Sequence, residues 1–355
     1  MNDAEKTTDP SAVNRQWTVA ERPVRDLEHR HFGYRETPIP SPGEGEVLLR
    51  THYLNVAPVM RMYMMAEGGG ESTESVLQIG DVIHGRGVAE VIESRHPEVA
   101  VGEFLHGQIG WQTHKVTALA PREKFVRMRR RGVPAWYGLS ALGMTGYSAW
   151  CGFVSRGEPS AGDAVLVSGA AGGVGSLVVQ IAKARGCGPV VGIAGGPEKC
   201  RLVESLGADA TIDYRADDVP ARLAECFPDG MDIYFDNVGG ELLEAALDRL
   251  APRARVVLCG SISEYTRDEP FGPRNYTRLR KGDSDMRGFF VYNHADEFET
   301  AETEMAEWIR SGRLRGLVDF SDGFESLPEA LMGLYTGANF GKRMVRVTPG
   351  EDPVW

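Results

Sequence analysis

Residues 164–183 run from Val165-Leu166-Val167-Ser168 through Gly169-Ala170-Ala171-Gly172-Gly173-Val174-Gly175 and Ser176 to Gln180-Ile181-Ala182-Lys183. An apolar strand thus feeds through a glycine-rich turn into a stretch of helical period, and few folds accept that order. Glycine at such a junction lets the backbone turn tightly and approach a pyrophosphate, while the N–H groups and dipole of the helix start favour the negative charge. Ala171, Gly172, Gly173, Val174 and Gly175 are the residues of this turn expected to touch a dinucleotide. A glycine triplet alone is weak evidence; opening a repeated strand–helix alternation, it is strong.

That alternation begins near Leu139. Strands are expected at 164–168, 190–194, 210–214, 232–235, 255–259 and 287–292, with helix-compatible spacing at 174–185, 197–206, 218–226, 241–250 and 296–310. Strands separated by crossover helices form a parallel sheet, and six of them make a full Rossmann fold. Pro197 at a first helical position and Gly207 just past a helical end carry the expected boundary asymmetry. Before this region, 46–54, 81–93 and 103–111 are β-rich and punctuated by Pro and Gly, which predicts a partly closed β domain. The expected division is a β-rich domain over 1–138, a nucleotide-binding domain over 139–312, and a segment 313–355 that reads as strand, helix and strand and returns to the first domain. The fold class is α/β, a doubly wound parallel sheet plus a β-rich domain.

A chain of 355 residues with 42% hydrophobic and 25% charged residues has ample material for two cores. Its five cysteines, Cys151, Cys187, Cys200, Cys226 and Cys259, are odd in number and form no CxxC pair, so no disulfide framework and no four-cysteine zinc site is indicated. A net charge of −11 argues against nucleic acid as a partner. The basic run between Arg122 and Arg131 reads as a solvated face, with a local anion-attracting patch as the alternative. No apolar stretch is long enough for a membrane span, and MNDAEKTTDPSAVN lacks the apolar segment of a signal peptide, so the expected location is cytoplasmic.

NAD-selective sites place an acid at the end of the second strand; here the residues are Gly192-Ile193-Ala194-Gly195-Gly196. An acid would repel a 2′-phosphate, so its absence together with Lys199 points to NADPH. Lys199 reads equally as a surface residue of the second helix. The later strand ends should line the same crevice, which brings in Tyr214, the loop Phe235-Asp236-Asn237-Val238-Gly239-Gly240, Cys259-Gly260-Ser261-Ile262-Ser263, and Phe289-Phe290-Val291-Tyr292. Asn237 could serve a ligand or cap a helix.

Ordered blocks along nearly the whole chain resemble the zinc-independent alkenal, prostaglandin and curcumin reductase-like enzymes of the medium-chain dehydrogenase/reductase superfamily. They are Asn14-Arg15-Gln16-Trp17, Pro42-Gly43-Glu44-Gly45-Glu46-Val47, Gly110-Trp111-Gln112, Leu142-Gly143-Met144-Thr145-Gly146, the glycine-rich turn, Gly195-Gly196-Pro197-Glu198-Lys199, Tyr234-Phe235-Asp236-Asn237 and Asn339-Phe340-Gly341-Lys342. The resemblance implies a GroES-like first domain, a Rossmann second domain, NADPH as cofactor, and hydride transfer to the β-carbon of an α,β-unsaturated ketone or aldehyde. It assigns Lys199 and Tyr214 to the 2′-phosphate region, Asn237 and Asn339 to other parts of the cofactor, and Cys259, Ser261 and Tyr265 with Phe289, Phe290 and Val291 to the nicotinamide side. A homodimer is also implied. Two departures concern substrate: Ala57-Pro58-Val59-Met60-Arg61 stands where relatives commonly have Asp-Pro-Tyr-Met-Arg, and Lys281 replaces a tyrosine of some relatives. The stretch 62–75 is unusual in its methionines and glycines.

Zinc alcohol dehydrogenases of the superfamily need a catalytic cysteine and a Gly-His-Glu segment. This chain has no cysteine before Cys151 and no glutamate after His84, so no metal is expected. Hydrogen-bond donors must then stabilise the charge that develops on an enone oxygen. Tyr265 and Tyr53 are the candidate catalytic donors, each with a packed aromatic as its alternative reading. A quinone reductase of the same superfamily, or an NADPH-binding module that has lost its chemistry, are the competing functions.

Overall fold

The structure is a computed structural model that describes residues 13–24, 26–65, 75–129, 131–263, 271–335, 340–350 and 352–355. Two compact units result: Met1–Leu139 with Asp319–Trp355, and Ser140–Val318. Among the described residues no helix is long and apolar enough to cross a membrane.

The chain opens with β1 (Asn14–Val19) and β2 (Phe32–Thr37), an antiparallel pair in register from Asn14 opposite Thr37 to Val19 opposite Phe32. Then follow β3 (Val47–Asn55), α1 (Val59–Met64), β4 (Arg86–Ser94), β5 (Phe104–Gln108), β6 (His114–Thr117) and β7 (Val126–Arg127). The strand expected to begin at 81 starts instead at Arg86. Upstream of it the backbone bonds irregularly to other segments, Ile83 N–H donating to Trp17 O at 3.0 Å and Trp111 N–H to Ile83 O at 2.8 Å, and a Cβ on Gly85 would lie 2.5 Å from the Trp111 ring.

The second unit contains α2 (Met144–Trp150), which runs into a π-helical turn Cys151–Arg156, then β8 (Val165–Val167), α3 (Gly173–Ala184), β9 (Val190–Ala194), α4 (Pro197–Ser205), β10 (Ala210–Asp213), α5 (Val219–Cys226), β11 (Met231–Asp236), α6 (Gly240–Leu247), β12 (Leu250–Leu258), α7 (Arg278–Gly282), β13 (Asp285–Gly288) and α8 (Phe298–Arg310). The sheet order β10-β9-β8-β11-β12-β13, parallel at every pairing, is that of a complete Rossmann sheet. Parallel strands covered on both faces read as continuous apolar runs, and all five residues of β9 are buried. Leu166, Val191, Ile193, Tyr234 and Val256 form the centre of one core, where a fully buried aliphatic side chain contributes about 1.5–3 kcal/mol. Asp218 caps α5 by accepting from the Ala221 N–H at 3.2 Å.

Two expected elements are corrected. The helix expected to reach 250 ends at Leu247, because Leu250 already pairs with Met231 as the first residue of β12. The strand expected over 287–292 ends at Gly288, and Val291–Glu297 is a 3-10 helix. β13 is an edge strand whose neighbour β12 stops at Leu258, opposite Gly288, so the apolar run that follows has no ladder to join.

From Val318 the chain forms β14 (Val318–Asp322), α9 (Leu327–Tyr335) and β15 (Lys342–Arg346). These strands belong to the sheet β14-β15-β3-β4-β5-β7 of the first unit, where β6 also pairs with β3. One face of that sheet carries an apolar core that includes Leu49, Leu54, Val91, Leu105 and Val345.

Candidate functional site

The glycine-rich turn takes the shape its residues demand. Gly169 adopts φ +60°, Gly172 N–H donates to its carbonyl at 2.9 Å, and Ala170 N–H donates to Ile193 O at 3.0 Å, tying the turn to β9. A Cβ on Gly175 would lie 2.3 Å from Gly169 O, so only glycine lets α3 start this close to the turn. Gly172 is the N-cap of α3 and supplies no side-chain cap, and Gly172, Gly173 and Val174 are partly exposed. The first N–H groups of a helix have no intrahelical acceptor, so this terminus is an open cradle for an anion.

β8 and β11 lie side by side where the strand order reverses, and a buried carboxylate shapes their ends. Asp236 accepts from Ser168 Oγ at 2.8 Å, Tyr234 OH at 2.7 Å, Val238 N–H at 2.9 Å and Gly239 N–H at 3.0 Å. Asn237 donates its side-chain N–H to Ser168 O at 2.8 Å, which leaves its carbonyl oxygen available to a ligand. It is not a helix cap: α6 starts on Gly239, which has no capping side chain. The loop after β12 lies on the same framework, with Cys259 and Gly260 N–H donating to Asp236 O at 2.9 and 3.1 Å and Ser261 packed 3.4 Å from where a Gly239 Cβ would be. Burial, then the Asp236 charge, pushes the Cys259 thiol up to about 12, so it is inert at neutral pH. Nothing in the pattern of the sequence singled out Asp236 as the organiser of this loop.

At the end of β9 the ring of Tyr214 covers Gly195, where a Cβ would come within 2.7 Å of it, and Tyr214 N–H donates to Ala194 O at 3.1 Å. Lys199 lies in the first turn of α4, just beyond Gly196. The structure adds two residues. The Arg215 guanidinium lies 5.7 Å from the Tyr214 ring centroid, a second cation that was legible as the Tyr214-Arg215 dipeptide. Asp213 accepts from Gly196 N–H at 2.8 Å and Arg215 N–H at 3.0 Å, and those bonds hold its carboxyl below the usual range.

Phe289 packs on the π-helical turn, its Cζ 2.6 Å from where a Gly152 Cβ would stand, and meets the His294 ring edge-on at 6.3 Å. Phe290 is half-exposed and leans on Tyr292 at 5.1 Å, and Val291 starts the 3-10 helix. Phe289 is thus packed but only partly buried, Phe290 is exposed, and neither lies in a buried core. Tyr265 and Asn339 lie outside the described residues. Tyr53 is fully buried and donates its hydroxyl to Asp352 at 2.7 Å; burial, then Asp352, raises its pKa well above the ordinary tyrosine value. That geometry fits the packed aromatic with a satisfied hydroxyl.

His84 lies 3.1 Å from Ser75 O through Nε2 and edge-on to Tyr63, and among the described residues no group of three or more His, Cys, Asp or Glu could hold a metal ion. Within the basic run, Arg127 makes a two-pronged pair with Glu103, both bonds 2.8 Å, as a solvated face does.

Residues 173–308 match the family described as zinc-binding dehydrogenase, and residues 15–125 the one described as N-terminal domain of oxidoreductase. The chain is 36% identical to the NADPH-dependent curcumin reductase of Escherichia coli (strain K12), over 96% of this chain and 98% of that one. It is 36% identical to the 2-alkenal reductase (NADP(+)-dependent) of Nicotiana tabacum, over 86% and 88%. Among solved structures, CurA from Vibrio vulnificus in complex with NADPH superposes with a TM-score of 0.83 at 34% identity, covering 94% of this chain and 99% of that one. The chain belongs to the zinc-independent alkenal and curcumin reductase family of the medium-chain dehydrogenase/reductase superfamily, with a Rossmann unit and a β-rich GroES-like unit.

Proposed function

We propose that this enzyme reduces the C=C bond of α,β-unsaturated ketones or aldehydes with NADPH. The observation that carries the cofactor is the open N-terminus of α3 beside β11, paired with a β9 end that offers Lys199, Tyr214 and Arg215. The pyrophosphate would rest on Gly172, Gly173, Val174 and Gly175 beside Ala171, and a 2′-phosphate on the Lys199, Tyr214 and Arg215 group, whose cations favour a doubly charged anion. Asp213 directs an oxygen into the backbone, accepting from Gly196 N–H and Arg215 N–H, and the Lys199 and Arg215 cations outnumber its single charge. Asn237, Asn339, Cys259, Ser261, Tyr265, Phe289, Phe290 and Val291 are the proposed partners of the remaining cofactor.

When bound, NADPH supplies a hydride to the β-carbon of the substrate. The protein's work is to hold the reacting carbons together and to stabilise the charge that appears on the carbonyl oxygen. Relatives named for curcumin, alkenals and pulegone support a C=C bond as the target. A homodimer is proposed on family resemblance.

Following NADPH absorbance with an enal, an aryl enone and a quinone tests the reading. The expected outcome is turnover of the enal or enone to a saturated carbonyl, with kcat/KM for NADPH at least about tenfold above that for NADH, as charge-assisted bonds to the 2′-phosphate provide. Turnover of the quinone alone, an allylic alcohol as product, or a preference for NADH overturns it.

A further inference from the structure

The carboxyl edge of the parallel sheet offers a ligand two kinds of surface. Beyond β8 the N–H groups that open α3 have no intrahelical acceptor and no capping side chain, and they favour an anion. Beyond β11 the N–H groups are already taken: Val238 and Gly239 donate to Asp236 Oδ1 at 2.9 and 3.0 Å, and Gly239 also reaches Oδ2 at 3.1 Å. The chain supplies its own anion at β11 and leaves the one at β8 to a ligand. What β11 presents instead is an acceptor, Asn237 Oδ1, because the Asn237 side-chain N–H donates to Ser168 O at 2.8 Å. An acceptor recognises hydroxyl or amide N–H groups rather than phosphate.

Asp236 also ties three loops into one body. Ser168, just after β8, donates its hydroxyl to Asp236 Oδ1 at 2.8 Å and accepts the Asn237 N–H at 2.9 Å. Tyr234 of β11 donates to the same oxygen at 2.7 Å; burial, then the Asp236 charge, raises its pKa well above the ordinary tyrosine value, so it stays a donor. The loop after β12 hangs on the loop after β11. Cys259 and Gly260 N–H donate to Asp236 O, and Ser263 gives Val238 O its N–H at 3.1 Å and its hydroxyl at 2.7 Å. On the other side a Cβ on Gly169 would stand 3.4 Å from Asn237 Cβ, so the anion-binding turn rests against the same loop. Ser168, Tyr234 and Asp236 are buried, which shields these bonds from competing water, and every group belongs to the second unit.

A carboxylate suits this place as an amide does not. Four donors converge on Oδ1 and one of them also reaches Oδ2, and an acceptor-only group satisfies them all. An amide of the same shape must turn its NH2 toward at least one N–H that needs an acceptor, and a buried donor left unpaired is costly. Burying a carboxylate is unfavourable in itself, so its consequence here is geometric: it leaves the loops one arrangement.

A dinucleotide fold joins two mononucleotide-binding halves, here β8-β9-β10 and β11-β12-β13. Lys199, Tyr214 and Arg215 lie in the first half, so a 2′-phosphate held there leaves the second half to the nicotinamide mononucleotide. The loops after β11 and β12, which Asp236 fixes, are the strand ends of that second half. We propose that Asp236 is a positioning residue for the nicotinamide half of NADPH: itself out of reach of the cofactor, it acts through Asn237 and the loop after β12, holding acceptors where ribose hydroxyl or carboxamide N–H groups meet them. The inference rests on the cofactor placement given under the proposed function.

The test is calorimetric binding of two ligands, NADPH and adenosine 2′,5′-bisphosphate, which carries the 2′-phosphate and lacks the nicotinamide half. Wild type is compared with Asp236→Asn, Ser168→Ala, Asn237→Ala and the double variant Asp236→Asn with Asn237→Ala. Asp236→Asn is expected to weaken NADPH about tenfold or more, the scale of one misplaced charge-assisted hydrogen bond, and to leave the bisphosphate within about twofold of wild type. Ser168→Ala should weaken NADPH by about threefold, the scale of one neutral hydrogen bond, again sparing the bisphosphate. Because Asp236 acts through Asn237, the double variant should lose less NADPH affinity than the product of the two single losses. A merely structural role would lower the affinity for both ligands together. Parallel loss of both, unchanged NADPH affinity, or single losses that multiply in the double variant overturn this inference alone. Should Asp236→Asn fail to fold, selective or parallel loss in Ser168→Ala decides. A wild type that binds neither ligand, or binds NADH as tightly as NADPH, overturns the cofactor placement and this proposal with it.

Discussion

Tyr53 and Asn237 are polar residues near strand ends that looked alike along the chain, and their neighbours give them different work. Tyr53 OH ends on Asp352, a residue 299 positions away that arrives with the returning C-terminal segment. Asn237 spends one amide N–H on Ser168 O and keeps its oxygen. The Tyr53→Phe variant is expected to lose about 1 kcal/mol of stability, the net worth of one hydrogen bond, and to keep kcat. Denaturant melts and steady-state rates on the same preparation check this; a large fall in kcat at unchanged stability would restore Tyr53 as a donor. Cys259 shows the same dependence on surroundings, since burial, then the Asp236 charge beneath it, raises its thiol pKa.

At the scale of elements, the strand–turn–helix from Val165 to Ala184 was legible almost to the residue, because its cause is local. A turn needing φ +60° at Gly169 and a helix packed against Gly169 O both require glycine, and the requirement is written at those positions. Gly175→Ala must push the helix off a backbone atom that cannot swing away. Overpacking of this kind costs about 1–3 kcal/mol, and the displaced N–H groups should weaken NADPH binding by about tenfold or more. Urea unfolding and cofactor titration measure the two effects, and an alanine variant with native affinity contradicts the close-packing argument. Phe289 to Tyr292 misled for the opposite reason: an apolar β-prone run becomes strand only where a neighbour extends beside it, and β12 ends at Leu258.

For the molecule as a whole, each unit carries its own core, and the first also buries histidines that are neutral when folded. Burial, then Arg86, holds His106 down to about 4; burial, then Arg50 and Arg15, does the same to His114. Unfolded histidines take up protons near pH 6.5, so between about 6.5 and 4 the unfolded chain binds more protons than the folded one. The stability these residues permit is therefore fully present above about pH 6.5 and is lost as pH falls toward 4, by at most about 3 kcal/mol for each histidine. Urea midpoints at neutral pH and near pH 4.5 should show that loss, smaller in a variant with His106 replaced by Asn; a midpoint independent of pH over this range contradicts the assignment.

By itself the sequence determined the order of strands and helices in the second unit, the anion-binding turn, and a β9 end without its own acid, because each follows from backbone geometry and periodicity within a few turns of chain. Tertiary structure alone decided that Asp236 gathers four donors at the switch point and that the Tyr53 hydroxyl ends on Asp352 of the returning C-terminal segment. Those facts depend on which distant residues come to share a low-dielectric neighbourhood, and both the commitment of a hydrogen bond and the protonation of a histidine such as His106 are properties of that neighbourhood.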